Sequence, residues 1–299
     1  MSVAPDPARG RRFDATAGPL VLIGGACTAA GAALGAFLEL AGAHDHGRVV
    51  GFTTASGDPV GSAHAWKNDF AAAGARNVVI PIVDRRDRAQ DERVADMVAE
   101  ASGIFLGGGD QVHLVATLDG SRVAKAIRDA HRRGVVVCGT SAGAAALTET
   151  ILANGEPDEH GTITEMYLGR GLGLLGFNAV IDTHFGARRR LHRLFNAIAA
   201  NPGLLGLGID EDTALVVRGP LGHVVGQGGV TFVDGRDVHY STASESLNNG
   251  PLTLSYVRVG VVGAGHTLNL REREIDAVIQ ARLSGATPTV VGEEAESPA

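Results

Sequence analysis

Cysteine is scarce in this 299-residue chain: Cys27 and Cys138 are the only two, with no regular spacing that a disulfide framework would need, so a reducing compartment is the simpler setting. Positive charge is not in excess either. Lys and Arg total 26 against 33 Asp and Glu, a formal net charge of −7, which argues against a nucleic-acid surface spread over the molecule and leaves room only for a local basic pocket. No His, Cys and carboxylate spacing suggests zinc, and no Gly-x-Gly-x-x-Gly or Walker spacing follows the glycine turn of "IFLGGGDQ", residues 104–111; neither metal nor organic cofactor is expected. There is no internal repeat. Long apolar runs are nearly lacking too, the exception being residues 19–41, "PLVLIGGACTAAGAALGAFLELA". Behind Arg11-Arg12 this run superficially resembles an export signal. It divides, however, into a strand (Leu20 to Ile23), a Gly24-Gly25 turn and a helix (Thr28 to Leu40) carrying Glu39, so its removal would delete a sheet strand. Nothing else approaches membrane-spanning length, and a cytoplasmic protein with no membrane partner is the expectation.

What is present is an ordinary folded composition, 44% hydrophobic and 20% charged with 42 glycines, which suits one domain with many tight turns. Residues 1–18 are polar and aperiodic and read as a loose tail, 19–285 as the domain, and 286–299 as a charged tail. Apolar runs at 20–23, 48–53, 77–83, 102–106 and 134–138 alternate with helical patterns near 28–42, 62–74, 87–100 and 121–133. That alternation predicts βαβ units, a parallel sheet covered on both faces, and ligands at the carboxyl ends of its strands. Residues 152–176 are glycine-rich and read as a mobile loop near the site. A further strand, Ala179 to Asp182, leads into a helix with apolar Leu191, Leu194, Phe195 and Ile198. Beyond Gly206 the texture becomes short β-rich pieces separated by turn signals such as Asp234-Gly235, read as an appended antiparallel layer, before a last helix at 274–283.

Chemistry gathers at "VVVCGTSAGAAALTE", residues 135–149. A β-branched run gives way to Gly139-Thr140-Ser141-Ala142-Gly143 and then to an alanine-rich helix former, which is the strand–turn–helix context of a G-x-S-x-G nucleophile elbow. Glycines on either side permit a tight turn without Cβ clashes, so the hydroxyl projects while the following amide and the helix N-terminus face a developing oxyanion. A plain glycine–serine turn with an N-capping hydroxyl would look the same. "IFLGGGDQ", residues 104–111, ends the preceding strand with free amides at the same edge, either a second oxyanion donor or merely a tight turn. His184 follows the apolar "AVIDT" at that edge, in position for a general base or for a structural partner to a carboxylate. Asp210, Glu211 and Asp212 end another apolar run; one of the three could orient the histidine, and together they equally make a solvated turn.

In that order, Gly107 to Gln111, Gly139 to Gly143, "DTHFGARRRLHRL" and "GLGIDEDTAL" resemble cyanophycinases and their relatives, a serine-peptidase family that also includes aspartyl dipeptidase. The similarity runs from about residue 20 to about residue 272 and takes in the closing "VRVGVVGAGHTLNL". It implies an α/β fold, a flavodoxin-like three-layer sandwich similar to class I glutamine amidotransferases, with a mostly parallel sheet and additional C-terminal antiparallel strands. By position it makes Ser141 the nucleophile, His184 the general base and Glu211 the acid that orients it, with oxyanion amides from Ala142 and from Gly109 or Asp110. Gln111, Asp182, Arg188, Arg190 and Arg193 match pocket residues, guanidinium groups being suited to hold carboxylates by paired hydrogen bonds. Thr183 departs from the pattern, standing where these proteins usually carry glutamine. The activity implied is exopeptidase cleavage of cyanophycin, multi-L-arginyl-poly-L-aspartate, into β-Asp-Arg dipeptides by a homodimer. A peptidase of small aspartyl or isoaspartyl peptides, or a non-catalytic binding protein on the same fold, are the alternatives.

Overall fold

The computed structural model describes residues 16–155, 163, 166–243 and 252–279. Five short strands, β1 (Leu20–Ile23), β2 (Arg48–Phe52), β3 (Asn77–Val79), β4 (Gly103–Leu106) and β5 (Val136–Thr140), lie parallel in the order β3-β2-β4-β5-β1. Leaving β1 aside, this is the flavodoxin-like order, with the N-terminal strand taking the fifth place. Successive side chains along a strand point to opposite faces. Val21, Ile23, Val49, Phe105 and Cys138 therefore pack under α1 (Ala32–Leu40) and α2 (Pro59–Ala72). Leu20, Leu22, Val50, Phe52, Ile104, Leu106 and Val137 face the opposite side and α3 (Glu92–Ala99), α4 (Gln111–Leu118), α5 (Arg122–Arg132) and α6 (Ala142–Ala146). Burial on both faces is why these strands are continuous apolar runs instead of alternating ones.

The chain then departs from a simple three-layer sandwich. After α6, β6 (Thr150–Leu152) and β7 (Leu168–Arg170) form a two-stranded ribbon, so the flanks of the expected loop are paired backbone; residues 156–162, 164 and 165 lie outside the described set. Next, β8 (Ala179–Thr183) and β9 (Leu205–Ile209) do not extend the central sheet. The edge of β1 is occupied by β10 (Thr213–Arg218), antiparallel to it, and β11 (Leu221–Gly226) follows β10. Instead β8 and β9 run parallel in a second sheet, continued antiparallel by β12 (Gly229–Asp234) and, past a small ribbon of β13 (Tyr240–Ser241) and β14 (Leu254–Ser255), by β15 (Arg258–Gly263). Two more strands, β16 (Thr267–Asn269) and β17 (Glu274–Ile275), return beside β11 and complete the antiparallel half of the central sheet. Ile181, Leu205, Leu207, Val230 and Phe232 bury the inner face of the second sheet in the core that holds Leu20 and Leu22. Its outer face, Val180 and Val233, is covered by Leu194 and Ile198 of α7 (Leu191–Ala200). The appended antiparallel layer is thus two things, a continuation of the central sheet and a separate sheet stacked upon it.

Three expectations shift at element ends. Residues 16–18 are fastened, since Gly18 exchanges hydrogen bonds with His131: its N–H donates to the carbonyl at 2.7 Å and its carbonyl lies 2.8 Å from Nε2. The rest of that tail (1–15) and the tail at 286–299 lie outside the described residues. Helix α1 begins at Ala32, not near Thr28, because residues 26–31 form a turn in which Ala26 has φ 45° and Gly31 donates to the Thr28 carbonyl at 3.0 Å. The segment 274–275 is strand, with helix only from residue 276; residues 280–283 are outside the described set. Helix α4 has no counterpart in the sequence reading, although Asp110 caps it by accepting from Val112 N–H at 2.7 Å and His113 N–H at 3.2 Å.

Candidate active site

Ser141 joins β5 to α6 with φ 52° and ψ −119°, a backbone region a residue with a side chain occupies only when its surroundings impose it. Two close approaches do so. A Cβ on Gly139 would overlap the backbone of Gly143, and a Cβ on Gly143 would overlap the Leu106 carbonyl oxygen. Both flanking positions therefore require glycine through contact, not through positive φ. The Ser141 N–H donates to the Ile23 carbonyl at 2.9 Å, and its own carbonyl accepts from Ala144 and Ala145 at 3.0 and 3.1 Å to start α6. The hydroxyl caps nothing in the helix. It lies 3.0 Å from His184 Nε2.

His184 sits one residue beyond β8, also at φ 52°, with its N–H donating to the Gly24 carbonyl at 2.7 Å. Its Nδ1 is 2.6 Å from Glu211 Oε1. An ionised carboxylate only accepts, so the ring proton belongs on Nδ1 and Nε2 is left as the acceptor for the Ser141 hydroxyl. The imidazole is largely buried and Glu211 is part-exposed. The neighbouring acids are spent otherwise: Asp210 accepts from Gly186 N–H at 2.9 Å and Gly229 N–H at 3.1 Å, and Asp212 from Thr28 N–H at 3.4 Å. They tie loops together while Glu211, in the turn between β9 and the next strand, meets the ring.

The amides that could receive an oxyanion differ in what each already bonds. Asp110, one of the two expected donors on the glycine turn, gives its N–H to the Ala55 carbonyl at 2.7 Å, and that expectation is corrected to Gly109 alone. Gly109 has φ 137°, and a Cβ there would overlap the Ala55 oxygen, so only glycine can bring this backbone past the β2–α2 turn. The Gly109 and Ala142 N–H groups donate to no described residue; that of Ala142 is one of the orphan donors of a helix's first turn. Both residues line, with Ser141, a cavity of about 760 Å³.

The remaining expected residues line the same cavity. Arg190 donates through Nη1 to Asp182 Oδ1 at 3.2 Å and to the Thr183 carbonyl at 3.0 Å, and Arg193 Nε lies 3.3 Å from Asp182 Oδ2. All three side chains are at least nine-tenths buried. Arg188 is exposed and Thr183 buried. Gln111 donates through Nε2 to the Leu152 carbonyl at 2.6 Å, tethering α4 to β6. Sequence reasoning missed the wall contributed by Leu152, Asn154 and Ile181, and the role of Gly25. Its Cβ, if it had one, would fall inside the His184 ring; a glycine pair ending a strand at the ligand edge was the available signal.

Three comparisons bear on this arrangement. Residues 20–225 match the family model described as Peptidase family S51. A cyanophycinase from Synechococcus elongatus is 37% identical over 243 residues, 80% of this chain and 74% of that protein, and one from Geminocystis herdmanii is 32% identical over 225 residues, 74% and 82% of the two chains. The crystal structure of a peptidase from an acI-B1 Actinobacterium shares the fold, with a TM-score of 0.62 at 21% identity over 85% of this chain and 97% of that one. With the family model spanning most of the chain and these relatives aligned along 74–80% of it, the chain belongs to peptidase family S51.

Proposed function

We propose that this peptidase is a serine exopeptidase that hydrolyses cyanophycin to β-Asp-Arg dipeptides through an acyl-enzyme on Ser141. The observation that carries the reading is the chain of short contacts from Ser141 Oγ to His184 Nε2, 3.0 Å, and from Nδ1 to Glu211, 2.6 Å. His184 takes the hydroxyl proton as Oγ attacks the scissile carbonyl, and the Gly109 and Ala142 amides receive the oxyanion. The protonated imidazole, stabilised by Glu211, then gives its proton to the departing amine. Water enters by the same route in reverse and frees the serine. Each oxyanion donor is worth a factor of about 100 to 1,000 in turnover.

The substrate assignment joins the names of the relatives to the chemistry of the cavity. The free carboxylates of cyanophycin are those of the arginines linked through each aspartate β-carboxyl and of the chain end, and Arg188, Arg190 and Arg193 supply guanidinium groups to meet them, with Asp182, Thr183 and Gln111 completing the wall. One observation favours a second substrate: Thr183 is short and buried where the resemblance expects glutamine, which suits small aspartyl or isoaspartyl peptides. A non-catalytic binding protein would have no use for a base aligned on a strained serine. We further propose a cytoplasmic homodimer whose folded unit spans 19–285; no helix among the described residues is long and apolar enough to cross a membrane.

Incubation of the purified protein with insoluble cyanophycin and, separately, with α- and β-aspartyl dipeptides tests both substrates. Release of β-Asp-Arg from the polymer is expected, and a Ser141→Ala variant should lose a factor of about 10,000 or more in turnover. Consumption of the dipeptides alone would replace the polymer assignment by the second one. Retained turnover in Ser141→Ala would remove the nucleophile. Sedimentation of a monomer would discard the dimer.

A further inference from the structure

The three members of the relay come from three separate segments, β5–α6, the turn after β8 and the turn after β9, and each of these segments is bonded to one short stretch of backbone. Ile23 carbonyl accepts the Ser141 N–H at 2.9 Å, Gly24 carbonyl accepts the His184 N–H at 2.7 Å, and Gly25 carbonyl accepts the Asp212 N–H at 2.9 Å, next to Glu211. Gly24 closes the circuit by donating to the Thr213 carbonyl at 3.0 Å. Four of the non-glycine residues at positive φ, Ala26, Ser141, His184 and Asp212, are on or bonded beside this stretch, so the strain of the site is concentrated where these bonds can hold it. Gly25 itself has φ 99°, and the space its missing Cβ leaves is filled by the imidazole: atoms Cε1 and Nε2 of His184 would both be overlapped, with Nδ1 3.0 Å away.

We infer that Ile23–Gly25 is the jig on which the relay is assembled, and that Gly25 is a positioning residue for His184, setting how far the ring can settle between Ser141 and Glu211. This rests on the relay proposed above. A methyl group at Gly25 displaces the ring at its Cε1 and Nε2 side from the place where it lies 3.0 Å from the serine, while leaving the arginine wall of the cavity untouched. The loss falls on the chemical step and not on binding.

The decisive comparison is Gly25→Ala against Gly134→Ala. Gly134 has the same φ, 99°, but an added Cβ would meet only the Thr16 carbonyl oxygen, at an ordinary 3.8 Å, so it reports backbone strain alone. Gly25→Ala should lower kcat by about 100-fold or more with KM within about threefold, slow labelling by a fluorophosphonate in parallel, and abolish the downfield proton resonance of the His184 Nδ1–H shared with Glu211. Gly134→Ala should leave all three as in the wild type. Because Gly25→Ala could unfold the protein, both glycine substitutions are repeated in a His184→Ala background, where the ring is gone; there the melting temperature lost to Gly25→Ala should shrink to that lost to Gly134→Ala. A Gly25→Ala enzyme with wild-type kcat and an intact resonance, or a melting penalty that persists without the ring, would overturn the inference. Ser141→Ala separates this from failure of the relay itself: if that variant keeps its turnover the relay is wrong, whereas a dead Ser141→Ala beside a fully active Gly25→Ala condemns only the jig.

Discussion

The second sheet carries one buried carboxylate among arginines at each of its two edges, and the two clusters have different lives. Asp182, at the end of β8, gathers Arg190 and Arg193 beside His184 and within the cavity. Asp234, at the end of the antiparallel strand β12, pairs across the sheet with Leu205 while Thr183 pairs with Ile209, so it lies at the opposite edge. It gathers Arg236, Arg258 and Arg273 at 2.9, 3.0 and 2.7 Å. Arg236 and Arg273 also donate to the carbonyls of Glu272, Leu204 and Gly203, so this cluster sews β12, β15 and the loop before β9 to the segment before β17. The same ionic chemistry lines a cavity at one edge and is a fastening at the other. What separates them is which ends of β8 and β9 they adjoin, since the relay is built at the carboxyl ends.

The largest effect that could break this contrast is on stability. Asp234→Asn leaves three guanidinium groups around an amide that cannot balance them, and removing one partner of a buried ionic cluster costs about 3–5 kcal/mol. Chemical denaturation should show that loss, while kcat/KM per folded molecule stays at the wild-type value. A turnover defect at equal folded fraction would mean that the far edge communicates with the site and the contrast is false.

Next in size is Arg190→Lys. Lysine keeps the charge, but both bonds leave from Arg190 Nη1, to Asp182 Oδ1 and to the Thr183 carbonyl, and a lysine side chain ends one bond short of that atom. Losing a charge-assisted hydrogen bond is worth about 1.5–3 kcal/mol, so kcat/KM at equal folded fraction should fall by a factor of about 10 to 100, carried by KM. The mirror substitution Arg236→Lys should leave turnover alone. Equal loss of activity in both would erase the distinction between wall and fastening.

How legible this contrast is in the sequence depends on how far apart its parts lie. Ser141 declares itself because glycines, strand and helix are all within a few residues, and His184 because a strand ends one residue before it. The choice of Glu211 over Asp210 and Asp212 needed the family resemblance; only in three dimensions do Gly186, Gly229 and Thr28 account for the other two acids. The Asp234 cluster was invisible because its arginines come from positions 236, 258 and 273, and Asp234-Gly235 reads locally as nothing more than a turn. Helix α1 was placed too early for the same reason: the partner that holds Thr28 in a turn, Asp212, is 184 residues away. The separate second sheet depends on β10 occupying the edge of β1, a pairing that no local pattern encodes.

Acid sharpens the comparison by a smaller step. Burial alone would raise the Asp234 carboxyl, but hydrogen bonds from Arg236, Arg273 and Arg258 outweigh it and hold the group well below the usual carboxylate range. Its folded value therefore lies beneath its unfolded one, so the stability it contributes is complete above about pH 4 to 5 and drains away as pH falls further. Denaturation midpoints of wild type and Asp234→Asn should differ fully at pH 7 and converge by roughly 1 kcal/mol or more toward pH 3. A gap that stays constant with pH would assign the cost of the substitution to packing instead of charge.

The smallest effect isolates burial itself. Arg188 lines the cavity with the same guanidinium as Arg190, yet it is exposed where Arg190 is buried. An ion pair made in water is worth about 0.2–1 kcal/mol because solvent competes for both partners, so Arg188→Ala should raise KM by no more than about fivefold, with kcat unchanged and a melting curve that overlays the wild type. If Arg188→Ala instead costs as much as Arg190→Lys, the bound substrate must exclude water from Arg188. The wall would then be completed only when ligand arrives, and the difference between the two edges of the sheet would belong to the complex rather than to the free protein.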